Sequence, residues 1–126
     1  MSRADVGRWG ERRARRFLEG AGLHILEANW RDAEGEIDLV AVDGETVVFV
    51  EVKTRRNRLF GAPVDSLTRD KRRRLRRAAL AYLTAHDRLD SSWRIDVVSI
   101  EGDPRRDTCR IEHLPDVVDA DDEALR

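Results

Sequence analysis

Apolar residues fall three and four apart at Ala14, Phe17, Leu18 and Ala21, the repeat of one buried helix face, and Gly22 follows as a left-handed stop. The spacing predicts a helix over about residues 4–21, weakened in its first half by Gly7 and Gly10. Residues 23–30 read as a first strand. Alternation through Glu36, Ile37, Asp38, Leu39 and Val40 predicts a strand over 35–42, and the Val- and Phe-rich run over 46–53 predicts its partner. Asp43-Gly44 between them is a hairpin signal. A basic loop containing Gly61 and Pro63 then covers about 54–67. Thr68 is placed to cap a second helix reaching about residue 85, with Leu75, Ala78, Ala79, Tyr82 and Leu83 as its apolar face. Two last strands, 94–100 and 108–114, turn at Asp103-Pro104. Helix, strands, helix, strands is the order of an α/β domain with one mixed sheet.

A chain of 126 residues supports one core, so a single domain over 1–115 is expected, followed by an acidic, disordered tail over 116–126. The formal net charge of -1 conceals a segregation. From Lys53 through Arg77 the cations are opposed only by Asp65 and Asp70, whereas Asp116, Asp119, Asp121, Asp122 and Glu123 crowd the C-terminus. Such separation predicts a basic surface for a polyanion. Cys109 is the sole cysteine, which excludes an intrachain disulfide and a cysteine-rich metal cluster. The N-terminus shows no apolar signal region, and the longest apolar run, 47–50, is far too short to span a bilayer. A soluble cytoplasmic protein with no membrane partner is the expectation.

Residues two apart in a strand point the same way, so Glu51 shares a face with Lys53, and Glu36 with Asp38. If Asp43 and Gly44 form a two-residue turn, Val42 pairs with Glu45 and Asp38 lies diagonal to Glu51. A four-residue turn sets Asp38 directly opposite Glu51. Either register brings the carboxylates within roughly 5–8 Å at Cβ. Facing carboxylates need a cation between them; Lys53 is one candidate and a hard divalent ion, Mg2+ or Mn2+, another. Such an ion activates water and polarises a phosphate, while Lys53 orients or deprotonates the water and offsets transition-state charge. Glu11, beside the apolar stripe of the first helix, is a third carboxylate that either pairs with a buried cation or reaches the same site. Lys71, four residues before Leu75, faces inward, toward the site or a phosphate.

These residues sit in a recognisable frame: Gly10-Glu11, Asn29-Trp30-Arg31, Gly35-Glu36-Ile37-Asp38-Leu39-Val40, the run Val48 to Arg55, Phe60-Gly61 and the helix from Lys71 to Leu83. Over about residues 6–100 the chain resembles the small bacterial YraN-like family of the PD-(D/E)xK nuclease superfamily, and in motif order the archaeal Holliday-junction resolvases. The resemblance implies a restriction-endonuclease-like fold, a central mixed β-sheet flanked by helices. It also implies metal on Asp38 and Glu51, aided by the backbone carbonyl of Val52, with Lys53 as catalytic partner and Glu11 as the helix glutamate. Ile37 stands where the motif's name has proline.

The expected function is therefore Mg2+- or Mn2+-dependent hydrolysis of phosphodiester bonds in DNA, including branched or otherwise structured DNA. Arg55, Arg56, Arg58, Lys71, Arg72, Arg73 and Arg76 are the expected nucleic-acid contacts. A symmetric homodimer would suit a branched substrate. Two other readings fit the same residues: a nucleic-acid-binding module of this fold without cleavage, and a protein-interaction domain whose basic face docks an acidic partner.

Overall fold

Ser2 opens the first helix, α1 (Arg3–Gly20), with a capping box in which its hydroxyl accepts from the Asp5 N–H and the Asp5 carboxylate accepts from the Ser2 N–H. Gly22, at φ 97°, closes it: the Gly22 N–H donates to the Glu19 carbonyl and the Leu23 N–H to that of Leu18. The computed structural model describes residues 1–56 and 67–118. Phe60-Gly61, Pro63 and Arg58 lie outside the described residues, as does the tail from 119 on.

Among the described residues five strands form one sheet in the order β1-β2-β3-β4-β5: β1 (His24–Asp32), β2 (Gly35–Asp43), β3 (Thr46–Arg55), β4 (Trp93–Asp103) and β5 (Thr108–Leu114). All neighbours are antiparallel except β3 and β4, which run parallel and are joined through the second helix, α2 (Arg69–Ala85). A parallel pair needs such a crossover, because a tight turn can only reverse the chain. Thr68 caps α2 as its sequence position implies, accepting from the Lys71 N–H.

Each helix covers one sheet face. Trp9, Ala14 and Leu18 of α1 pack with Leu39, Ala41, Val48, Val50, Val98 and Ile100. Leu75, Ala78, Ala79, Tyr82 and Leu83 of α2 pack on Ile37, Val40, Phe49, Ile95 and Val97. This is the α/β sandwich that a restriction-endonuclease-like domain requires: a mixed five-stranded sheet flanked by two helices. Gly10 lets α1 approach β3 closely, since a Cβ there would lie 1.9 Å from the Thr54 hydroxyl; Gly7 faces open space. Gly35 is favoured by its backbone, at φ 148°, and not by space, since a Cβ there would meet Ala78 at an ordinary 3.4 Å.

Strict alternation breaks once in β2. Leu39 and Ala41 face α1, but Ile37 faces α2 together with Val40. The break falls at Asp38, beside Asn29 of β1, whose φ of 54° puts it in the left-handed region that asparagine tolerates. The β1–β2 register is kept across this position, from Ala28↔Leu39 to Trp30↔Ile37, and the bulge of β1 lies earlier, between Ile25 and Glu27.

The expected boundary at residue 115 is overrun. Asp116 N–H donates to the Asp96 carboxylate at 2.9 Å, Val117 N–H donates to the Ile95 carbonyl at 2.8 Å, and Val117 and Val118 pack on the α2-side core. Asp96 is fully buried and also accepts from Arg94 Nε at 3.0 Å and His113 Nε2 at 2.7 Å. Among the described residues no helix is long and apolar enough to cross a membrane.

Candidate metal and nucleic-acid site

The β2–β3 ladder runs from Asp43↔Thr46 to Leu39↔Val50, so the next pair in that register is Asp38 with Glu51. This is the directly facing arrangement, not the diagonal one. Gly44 and Glu45 are the two loop residues, with Gly44 alone in the left-handed region at φ 61°, which suits a turn with glycine at its first central position. An Asp43-Gly44 turn of type I′ would have required Asp43 to adopt positive φ as well. The ladder ends before the two carboxylates. Instead, Val52 N–H donates to Asp38 Oδ2 at 2.8 Å. In a strand a residue's N–H and C=O point to the same side, so the Val52 carbonyl also faces the opening between β2 and β3.

Asp38, Glu51, Gly35, Glu36, Lys71, Arg74 and Leu75 line one pocket of about 330 Å³ between the sheet end and α2. Two lysines share one oxygen there: Lys71 Nζ lies 2.9 Å from Glu51 Oε1, and Lys53 Nζ lies 3.5 Å from it. Burial pushes the Asp38 carboxyl up to about 7, helped by the charges of Glu51, Glu11 and Glu36 and opposed by the Val52 hydrogen bond. Burial pulls the Lys53 ammonium down, as does hydrogen bonding with Lys71, against the opposing pull of Glu51. Burial acts downward on Lys71 as well, but its hydrogen bonds to Lys53 and Glu51, with the charges of Glu51 and Asp38, outweigh it and raise that ammonium.

The Asp38 shift has a measurable consequence in metal-free protein. An aspartate titrates near 3.9 in an unfolded chain, and in the folded chain near 7. Between those values the folded state retains a proton that the unfolded state has released, so stability falls as pH rises through this window and levels off above it. The full effect is at most about 4 kcal/mol, three pH units at about 1.4 kcal/mol each. Urea unfolding in EDTA at pH 5 and pH 8 should show the loss, and Asp38→Asn should remove it. Equal pH dependence in wild type and variant would contradict the burial of an uncompensated carboxyl.

A divalent ion of the magnesium type takes one or two protein carboxylates and keeps its remaining positions for water and phosphate. Asp38, Glu51 and the Val52 carbonyl match that donor set. Asp38 makes no ion pair within 4 Å among the described residues, and burial favours its neutral form, so a bound cation would be what restores its charge. No closed cage of three or more His, Cys, Asp or Glu side chains occurs among the described residues. Glu11 opens elsewhere, onto a depression on the α1 side with Arg8, Arg12 and Arg15, although its charge is felt at Asp38. Glu36 reaches the pocket rim and pairs with Arg31 at 3.3 Å.

The expected nucleic-acid contacts divide. Lys71 is at the site itself. Arg55 follows Lys53 on β3, with Nε and Nη2 buried and without a hydrogen-bond partner, and Arg56 is exposed at the strand end. Arg72 is half-buried, and Arg73 stands 4.0 Å from Asp70 on the α2 surface. Arg76 is turned away, its guanidinium 5.5 Å from the Trp93 ring centroid. Arg74 was not among the expected contacts, yet it lines both the carboxylate pocket and the neighbouring depression formed with Asp70, Arg73 and Arg77. Its place three residues after Lys71 on a helix is the signal that identifies it. The tryptophans are structural: Trp9 donates to Asp107 at 2.8 Å, and Trp30 and Trp93 pack against the core.

The Uncharacterised protein family UPF0102 matches residues 10–100, a span that includes every carboxylate and lysine of this site. A UPF0102 protein of Beutenbergia cavernae is 51% identical over 109 residues, covering 86% of this chain and 92% of its own. One of Roseiflexus castenholzii is 47% identical over 118 residues, 93% of this chain and 95% of its own. One of Nocardia farcinica is 48% identical over 95 residues, 75% of each chain.

Proposed function

Because the chain belongs to the UPF0102 family, the YraN-like group its motifs resemble, and carries this pocket, we propose that it is a metal-dependent endonuclease acting on DNA in the cytoplasm. The observation that supports this reading most is that Asp38 and Glu51 line one pocket just beyond the end of the ladder, with Lys53 and Lys71 both on Glu51. A sheet surface that needed only ion pairs would not bury Asp38 without a cation of its own.

Asp38, Glu51 and the Val52 carbonyl would hold Mg2+ or Mn2+, which when bound supplies Lewis acidity toward the scissile phosphate and a water. Lys53, with its ammonium depressed by burial, accepts the proton that the attacking water loses. The water oxygen forms the new P–O bond, the bridging P–O bond breaks, and the departing oxygen takes a proton from solvent. Lys71 and Arg74 stand beside the same pocket and oppose the charge that builds on the phosphoryl oxygens. Arg73 and Arg77, which line the neighbouring depression, would grip the flanking backbone.

Incubation with plasmid, branched and single-stranded DNA in Mg2+, Mn2+ or EDTA tests the reading. The expected result is cleavage in either metal and none in EDTA, with branched DNA at least as good a substrate as linear duplex. DNA binding without cleavage in any metal would replace the enzyme with a binding module of the same fold.

A further inference from the structure

Arg8, Arg12 and Arg15 follow one another four and three residues apart along α1 and so form one exposed stripe. With Glu11 they overhang a depression floored by Ala28, Asn29 and Leu39. The depression opens on the α1 face and the carboxylate pocket on the α2 face, and the two back onto one another at β2, where Leu39 of the first follows Asp38 of the second. Glu11, in the middle of the stripe, is close enough for its charge to act on Asp38. The stripe therefore borders the site on the side away from α2.

Two of these arginines have acidic neighbours on the same helix. Arg8 pairs with Asp5 at 2.5 Å and Arg15 with Glu19 at 3.8 Å, all four side chains about half exposed. Pairs in such solvent contact are worth little and exchange readily for a phosphate. We propose that the stripe is a second phosphodiester-binding wall, holding the backbone of the same DNA opposite the wall made by α2. The proposal rests on the nuclease reading and adds where the strand runs: across the end of the sheet, over Asp38 and Glu51, with cations on both flanks. Fixing a flexible backbone on both sides of the scissile phosphate is what an oriented attack demands.

The test uses the full chain and duplex DNA in EDTA, with affinity followed against salt for three sets of variants. R8Q/R12Q/R15Q removes the α1 charges, R8K/R12K/R15K keeps them, and R74Q/R77Q weakens the α2 wall. Each neutralised phosphate contributes about 0.9 to the slope of log affinity against log salt, so the glutamine triple should be shallower by about 2 to 3 and bind about 10- to 100-fold more weakly. The lysine triple should track wild type, and Mn2+ titration by calorimetry should be unchanged in both. Wild-type binding by the glutamine triple, with weakened binding by R74Q/R77Q, would overturn the α1 wall and leave the nuclease reading intact. Equal loss in the lysine and glutamine triples would also overturn it, since charge would not be the cause. Undetectable binding by wild type would sink the nuclease reading itself.

Discussion

Asp38→Asn and Glu51→Gln should each abolish detectable binding of magnesium or manganese, and with it all cleavage, while leaving DNA binding in EDTA equal or tighter. Both substitutions keep side-chain size and remove one of the two facing charges that a cation would bridge. Removing either anion also lessens repulsion of the phosphates. The two variants should differ in one respect. Asp38→Asn relieves a buried carboxyl and should stabilise metal-free protein above pH 7, whereas Glu51→Gln leaves Lys71 and Lys53 a neutral amide oxygen in place of their shared carboxylate and should destabilise it. Lys53→Ala separates chemistry from binding: metal still binds, and turnover falls by about 100-fold or more, as for loss of a general base. Calorimetric titration of Mn2+ into wild type and the three variants, with and without DNA, decides the matter. Should wild type take up no divalent ion even with DNA present, the pocket is an ion-pair cluster and the enzyme assignment falls.

Asp96→Ala should be the most damaging substitution away from the site. The carboxylate is fully buried and collects three donors, Arg94 Nε, His113 Nε2 and the Asp116 N–H. Truncation leaves all three donors in place without their acceptor, a loss of about 3–5 kcal/mol for a broken buried charge pair. For a domain of this size that corresponds to a fall in Tm of roughly 10–20 °C. Asp96→Asn keeps an acceptor oxygen and should cost less. Hydrogen exchange at Val117, whose N–H is bonded to the Ile95 carbonyl, should lose protection in the alanine variant as the segment detaches. Unchanged Tm would mean that the cluster is solvated and the segment held by other contacts. Deletion of residues 119–126, an acidic run with little apolar surface to bury, is expected to leave Tm nearly unchanged.

Periodicity alone located the helices and strands to within a few residues, because each carries a clear apolar face and the caps at Gly22 and Thr68 are local chemistry. Period two in adjacent strands brought Asp38 and Glu51 together in either hairpin register considered, while the roles given to them and to Lys53 came from the family resemblance. What lay beyond reach depended on contacts between distant segments. The choice between diagonal and facing carboxylates turned on which residue of the hairpin takes positive φ, and that is Gly44 alone. The change of face at Asp38, opposite the left-handed Asn29, puts Ile37 in the α2-side core and interrupts the alternation that the sequence pattern assumes. Arg76 reads as another cation in a basic run until Trp93, seventeen residues later, is brought beneath it. Nothing local marks Asp96 as the anchor of residues 116–118, since the partners come from β4, β5 and the segment after Pro115.

The single parallel pairing in the sheet orders how the site can come together. Asp38 and Glu51 belong to one hairpin with a two-residue loop, so their apposition costs little loop-closure entropy and can form early and locally. Lys71 and Arg74 reach them only when α2 packs down, and α2 is the link that must swing across before β4 can align beside β3. A nascent or partly unfolded chain therefore presents two carboxylates without their lysine partner from α2. The cationic half of the machinery is tied to the slow, non-local step of folding. Competence at the site thereby reports completion of the whole domain, and any substitution that loosens the crossover should silence it before the hairpin itself is lost.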